Sequence, residues 1–192
     1  MKSINQIKTY LQYFSLFFLP FFYTCSTTTI DKSKLRKDFT DEEMKIIDLS
    51  KEIINNCYYG TFITINKSGQ PKARVMEPFE PDENMEIWMA TNPKSRKVNE
   101  IKNNSKATLH YFDKNNMGYV SFYGNAYIVN NEKIKTAKWK KGWERFYKNQ
   151  KEDYLLIRFV PDSLELISIS KGYTGNKNTW KPGGVVLREE IN

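Results

Sequence analysis

The stretch Trp88-Met89-Ala90-Thr91-Asn92-Pro93-Lys94-Ser95-Arg96-Lys97-Val98-Asn99-Glu100-Ile101 decides how the rest of the chain is read. An apolar run with an aromatic residue ends at Thr91, Asn92-Pro93 interrupts it, and Ser95 stands where a helix cap belongs, with Val98 and Ile101 at helical spacing behind it. A strand, loop and helix start of this kind leaves backbone N–H groups unpaired and a partial positive charge at the helix N-terminus, to which Arg96 and Lys97 add two formal charges. Cations are mildly unfavourable at that end of a helix unless an anion offsets them. The segment therefore reads either as a solvated basic helix start or as a seat for a phosphate dianion.

Outward from this segment the pattern has period two. Tyr59–Ile65 and Pro71–Phe79 flank the turn Lys67-Ser68-Gly69-Gln70 and are expected to pair as a hairpin; after Pro81–Asn84, Met85–Thr91 is expected as a third antiparallel strand in succession. Ser95–Asn103 forms a short helix capped by Ser95, and Ala107–Phe112, Tyr119–Val129 and Tyr154–Ile169 complete six strands. A Trp- and Lys-rich helical stretch, Lys133–Tyr147, lies between the last two strands. Ahead of the first strand, Thr40-Asp41-Glu42-Glu43 is a capping box opening an amphipathic helix over 41–56, with Met44, Ile46, Ile47, Leu49, Ile53 and Ile54 on its apolar face. The class is mainly β with peripheral helices. A small antiparallel barrel is expected, because an open sheet leaves two exposed edges that closure removes.

With 192 residues, 40% hydrophobic and 15% aromatic, the chain has enough apolar content for one packed domain. Thirty Lys+Arg against 22 Asp+Glu give a net charge of +8, which favours an anionic partner without naming it. Two cysteines and a single histidine, His110, exclude a Cys/His zinc site and a disulfide scaffold, so no metal is expected. No Ser/His/Asp or paired-carboxylate constellation suggests hydrolysis. His110, in the alternating strand Thr108–Phe112, is read as structural, and Cys57, after the first helix, as a small buried residue. Lys138–Arg145 mixes cations and aromatics in a way that suits stacked bases. A solvated helix face with its Trp residues turned inward is the better reading, and no nucleic-acid partner is expected.

The first residues read as an address. Lys2 and Lys8 precede the apolar run Leu11–Phe22, no acidic residue occurs before Asp31, and the run is shorter than the roughly 20 residues of a spanning helix. Ending in Tyr23-Thr24-Cys25-Ser26, the segment resembles a bacterial lipoprotein signal, with an uncleaved anchor or a buried start to the fold as the other readings. The expected organisation is a signal peptide over 1–25 with lipidation at Cys25, a polar tether over 26–39 and a folded domain over 40–192. The protein is thus expected to be exported and anchored in a membrane, in the periplasm or at the cell surface. Removal of residues 1–24 takes away Lys2 and Lys8, so part of the basicity belongs to targeting.

Thr91-Asn92-x-x-Ser95-Arg96-Lys97 after an aromatic strand, with Ala73-Arg74-Val75-Met76 in the strand before, resembles the pyridoxamine 5'-phosphate oxidase-like split-barrel flavoproteins, especially their general stress protein branch. The resemblance extends over roughly 41–169. It implies a six-stranded antiparallel split β-barrel, a homodimer, and FMN held at the interface. Thr91, Ser95, Arg96 and Lys97 would hold the FMN phosphate, and Arg74, Val75 and Met76 would border the isoalloxazine. Trp180 joins the expected cofactor-binding set, with Trp139 and Trp143 as further candidates for covering the flavin or the dimer seam. In the oxidases proper a Lys follows the Arg strand and an Arg-x-His element grips the substrate. Here Arg74–Phe79 has no Lys and Thr179–Arg188 has no His, so oxidation of vitamin B6 is not expected. The implied function is a flavin-dependent oxidoreductase for an unspecified small molecule; the alternative is a protein that binds or sequesters flavin or haem without turnover in a stress response.

Palmitate labelling tests the address: label is expected on the wild-type protein and not on Cys25→Ala, and an unlabelled, soluble wild-type protein would exclude the anchor.

Overall fold

The computed structural model describes residues 34–188, so the expectations for the signal peptide and for Cys25 lie outside the described residues. Helix α1 covers Asp41–Asn55 and opens with the expected box: the Glu43 N–H donates to the Thr40 hydroxyl at 3.2 Å, and the Thr40 N–H donates to the Glu43 carboxylate at 2.9 Å. Ile46, Ile47, Ile53 and Ile54 are buried against the sheet, whereas Met44 is exposed, so the apolar face is narrower than the sequence suggested. The chain ahead of the helix is already docked. The Arg36 N–H and guanidinium donate to the carbonyls of Leu187 and Val186, both at 2.9 Å, and Leu35 and Phe39 pack on the core, so the end of the expected tether belongs to the fold.

Seven strands follow: β1 (Gly60–Ile65), β2 (Pro71–Met76), β3 (Ile87–Thr91), β4 (Lys106–Asp113), β5 (Gly118–Val129), β6 (Leu155–Ser168) and β7 (Gly183–Val186). Helix α2 (Arg96–Asn103) lies between β3 and β4, and α3 (Glu132–Ala137) follows β5. The antiparallel sheet runs β2-β1-β4-β5-β6-β3, with β7 on β6. The sequence reading lacked β7, because Gly183-Gly184-Val185-Val186 is short and half glycine and carries little strand propensity. Only the β1–β2 hairpin of the three successive strands survives: β3 pairs with β6, from Ile87 with Phe159 to Thr91 with Leu155. Pro78, which has no N–H to give, ends β2 early, and it meets β3 only in an isolated bridge to Met89, beside a 2.8 Å bond from the Phe79 N–H to the Trp88 carbonyl. The two ends of the sheet therefore touch at a seam without zipping. This is a split barrel rather than a closed one.

The long β5–β6 pair bends at a bulge, where Gly124 faces Pro161, Tyr123 faces Ser163 and Asp162 is the extra residue. The Asp162 carbonyl, freed from the ladder, accepts the N–H groups of Leu187 and Arg188 at 2.8 and 3.2 Å and so ties down the chain after β7. Inside the barrel, Phe62, Leu109, Tyr111, Val120, Phe122, Ile157 and Phe159 form the main core with α1. A second cluster of Trp88, Ala90, Trp143, Tyr154 and Leu156 packs on the other face of β3 and β6. The helix expected over Lys133–Tyr147 is instead α3 followed by a break at Gly142, whose φ of 94° is in the left-handed region, and a single 3-10 turn, Trp143–Arg145. That break is what presents Trp143 to the second cluster.

A Cβ at Gly124 would stand 2.2 Å from the Val160 carbonyl oxygen, whereas one at Gly183 would meet its nearest neighbour, Ile46, at 3.4 Å. Gly124→Ala is expected to lower stability in urea unfolding by about 2–3 kcal/mol, and Gly183→Ala by less than about 1 kcal/mol.

Candidate functional site

The ends of β2 and β3 and the start of α2 converge beside the seam. Ser95 has the extended backbone of an N-cap, yet its hydroxyl makes no cap bond. It accepts instead from the Lys97 ammonium at 2.8 Å, and the same ammonium donates to the Thr91 hydroxyl at 3.2 Å. The expected hydroxyl cap is thus replaced by a cation held between two hydroxyls, and no side chain closes the start of α2. Burial lowers the Lys97 pKa, and the charge of Arg74 and, more weakly, of Arg96 lowers it too, with Glu100 opposing them. An ammonium in this position gains more from an arriving anion than a solvated one does.

Behind it, Arg74 on β2 is committed to structure. Its guanidinium donates to the Glu100 carboxylate at 2.7 Å and to the Thr64 hydroxyl at 2.5 Å, while Thr64 donates to Glu100 at 2.5 Å. Arg96 reaches the other Glu100 oxygen at 3.4 Å but remains 67% exposed in its side chain. Burial pushes the Glu100 carboxyl up, but the hydrogen bonds from Thr64 and Arg74 and the two positive charges outweigh it, so its pKa lies below the usual value.

In front lies a cleft of about 420 Å³, within the usual size of small-molecule sites. Val75 and Met76 on β2 line it with Glu77 just beyond, Thr91 ends β3 and Asn92 follows it, Ser95 caps α2 and Lys97 lies within it, and Trp143, Phe146 and Tyr147 come from the segment after α3. Of the residues expected from sequence, Val75, Met76, Thr91, Ser95 and Lys97 come together here, with Arg96 on the neighbouring first turn of α2. Arg74 does not line the cleft, and Trp180, 84% exposed with a φ of 58°, sits between β6 and β7 and does not line it either. Trp143 is buried edge-on to Phe79, Trp139 and Tyr147, with ring centres 5.8–5.9 Å apart, so it is at once core and cleft wall, while Trp139 stands behind it. His110 bonds the Ser121 hydroxyl at 2.8 Å, with its pKa lowered by burial, and is not among the cleft residues.

Phe146, Tyr147 and Glu100 escaped the sequence reading. The spacing Trp143-x-x-Phe146-Tyr147 would put three rings on one side of a helical turn, and Glu100 follows Arg96 by one turn. Glu77 also closes the cleft. Burial raises its pKa, but the bond and charge of Lys140, 2.8 Å away, together with bonds from Tyr58 and Trp143, bring it below the ordinary value, so it is an anion at neutral pH. The cleft thus has a cationic, hydroxyl-lined end at an open helix start and an aromatic body, and no nucleophile–base pair is among its lining residues. The donor set fits a phosphate monoester, and the body fits a flat ring.

The fold is thus a split barrel with a basic helix start beside its seam. The family described as pyridoxamine 5'-phosphate oxidase like matches residues 41–172, and the chain belongs to it. Among solved structures, general stress protein 26 from Bacillus anthracis str. Sterne is 21% identical with a TM-score of 0.60, over 75% of this chain and 100% of that one. A Clostridium acetobutylicum protein related to general stress protein 26 is 20% identical with a TM-score of 0.61, over 78% and 96%. A pyridoxamine 5'-phosphate oxidase-related, FMN binding protein from Nostoc punctiforme is 12% identical with a TM-score of 0.54, over 79% and 99%. No curated protein matches the chain. At these identities the structural neighbours establish the shared fold.

The Arg74–Glu100 pair makes a prediction about stability. Glu100→Gln is expected to cost about 3 kcal/mol, the scale of breaking a buried ion pair from one side. Because the folded pKa of Glu100 is depressed, its contribution is complete above the unfolded value of about 4.3 and is lost as pH falls through the lower folded value. Unfolding curves of wild type and Glu100→Gln should therefore converge in acid.

Proposed function

We propose that the protein binds FMN in the seam cleft as a homodimer and uses it in redox chemistry on a small molecule at a membrane surface. The observation that carries this reading is the Lys97 ammonium, desolvated and held between Thr91 and Ser95 at an open helix start. Lys97, Ser95, Thr91 and the exposed guanidinium of Arg96 would hold the phosphate, with the first N–H groups of α2 adding to the field. Val75 and Met76 would flank the ring on one side, and Trp143 and Tyr147 would keep water from the other. FMN, when bound, supplies the hydride and electron chemistry that none of the lining side chains has. Glu77, fixed as an anion by Lys140, orients the wall and does not donate a proton at neutral pH.

Supporting a second copy, Val75 is 67% exposed at the cleft mouth, and Phe112 and Tyr123 are exposed as well, which is apolar surface of the kind subunits cover. The N-terminal signal and Cys25 are the grounds for proposing export and a lipid anchor.

The purified protein is expected to be yellow and to bind FMN, with Arg96→Ala/Lys97→Ala and the phosphate-free riboflavin each weakening binding by about tenfold or more. Affinity should fall as pH rises through the lowered Lys97 pKa, before the ordinary lysine value of 10.5. No binding at about 100 μM FMN would exclude the reading. Reduction of bound FMN by NAD(P)H followed by reoxidation supports the oxidoreductase, and tight binding without cycling supports sequestration.

A further inference from the structure

The outer face of the barrel carries almost no charge. Successive strand residues point to opposite sides of a sheet; Phe62, Leu109, Phe122 and Leu164 turn into the core, and the residues alternating with them turn outward. The register sets Val75, Thr61, His110, Ser121 and Glu165 in one row across β2, β1, β4, β5 and β6. A parallel row runs from Ile63 through Thr108 and Tyr123 to Ser163, and another from Phe112 through Tyr119 to Ile167. Of the described residues in these three rows, Glu165 alone is charged at neutral pH, and its carboxylate accepts the Tyr123 hydroxyl at 3.1 Å. In a chain of net charge +8 with 27% charged residues, such a face is surface made to be covered. Two copies of so basic a chain can meet here without bringing their cations together.

The relief of the face is self-complementary. Phe112, 61% exposed, stands out on one side of the middle row, and on the other side Ile63, Thr108 and Tyr123 line a hollow of about 310 Å³, with Lys106 and Asp162 among its further lining residues. Phe112 and Thr108 lie on β4, each two residues from His110, so a two-fold axis along the middle row would set the Phe112 of each copy over the hollow of the other. A nucleic acid or an anionic membrane would instead select the cations that these rows lack. His110 stands in the middle. Its half-buried ring shares a 2.8 Å hydrogen bond with the Ser121 hydroxyl and lies 5.5 Å from the Tyr119 ring. β1 faces it with Thr61, which does not titrate, β5 with Tyr119, and β6, farther along the row, with the Glu165 carboxylate already bonded to Tyr123. Burial lowers the His110 pKa, and a covered ring is desolvated further.

We propose that a second copy of this chain docks on this face about that axis, and that protonation of His110 separates the two copies in acid. The inference rests on the homodimer of the reading above and not on its FMN; Val75, at the end of the row, also lines the cleft, so the docked copy borders the cleft mouth. Because the dimer favours the neutral ring, the His110 pKa is lower in the dimer than in the separated chain. The contribution is complete above the separated-chain value and is lost as pH falls towards the lower one, and two rings per dimer raise the dissociation constant by up to about hundredfold per pH unit in that window.

Sedimentation equilibrium of the full chain, in density-matched detergent and without FMN, should show a dimer at pH 8 that dissociates towards pH 5. His110→Gln, which stays neutral, should keep the dimer and flatten the pH dependence. His110→Arg and Phe112→Lys should be monomers at pH 8 with unchanged circular dichroism, and Met44→Lys, exposed on α1, should behave as wild type. A monomer at about 100 μM and pH 8, a dimer indifferent to Phe112→Lys, or unchanged acid dissociation in His110→Gln would each overturn the proposal. So would a monomer whose binding to phosphatidylcholine vesicles is lost in Phe112→Lys, which would assign the face to lipid. FMN binding is followed separately by flavin absorbance: a dimer that takes no FMN supports the interface and removes the cofactor, and a monomer that binds FMN does the reverse.

Discussion

The ion pair of Arg74 with Glu100 decides where everything near the seam can stand. β2 and β3 are the two ends of the sheet and share only the Pro78–Met89 bridge. Helix α2 leaves directly from β3, and Glu100 on that helix is gripped by Arg74 on β2 and by Thr64 on β1. The barrel is thus drawn together at this point by charged and hydroxyl side chains rather than by backbone ladder. Because both partners are largely removed from water, the pair is specific in geometry: moving β2 or α2 by a residue would leave a buried charge unmatched. The same grip gives the start of α2 its position, and with it the place of Lys97.

Aromatic packing supplies the other fixed wall. Trp143, delivered by the Gly142 break, sits among Phe79, Trp139, Tyr147 and Tyr154 in edge-to-face contacts. Rings packed this way have little freedom to rotate, so the cleft has one wall set by electrostatics and another by close packing. Preformed walls of both kinds lower the ordering cost of binding. Beneath them, the two-pronged Arg158–Glu86 pair anchors the entry to β3 on β6, where Arg158 faces Trp88 across the ladder.

How far the sequence was legible follows from the range of each interaction. The capping box of α1, the β1–β2 hairpin and the start of α2 are local patterns, and each stands where the residues indicated, within a few positions. The gathering of Val75, Met76, Thr91, Ser95 and Lys97 could be anticipated only through the family resemblance, because their convergence is set by a strand order that no local pattern encodes. Partners of β3 could not be read from its neighbours in sequence: its five residues are buried without alternation and suit any apolar neighbour, and Pro78 rather than a turn signal decides against β2. The commitment of the Arg74 guanidinium was hidden for a like reason. Glu100 lies 26 residues away, and nothing in the spacing says that a surface-looking helix buries a carboxylate. The Ser95 side chain was misassigned locally, since the lysine two residues on competes with the backbone for the same oxygen.

A seam joined by one bridge also has a mechanical meaning. Backbone ladders elsewhere in the barrel share load over many hydrogen bonds, but between β2 and β3 the backbone contributes the 2.8 Å bond of Phe79 to Trp88, beside the side-chain grip of Arg74 on Glu100. Low-energy openings of a fold begin at such joints, so the amide of Phe79 should exchange with solvent ahead of those in β5 and β6. Any molecule lying across the cleft touches β2 and β3 together and becomes part of that joint. Occupancy would then be felt as a cross-link, with a gain in stability that grows with ligand concentration as RT ln(1 + [L]/Kd).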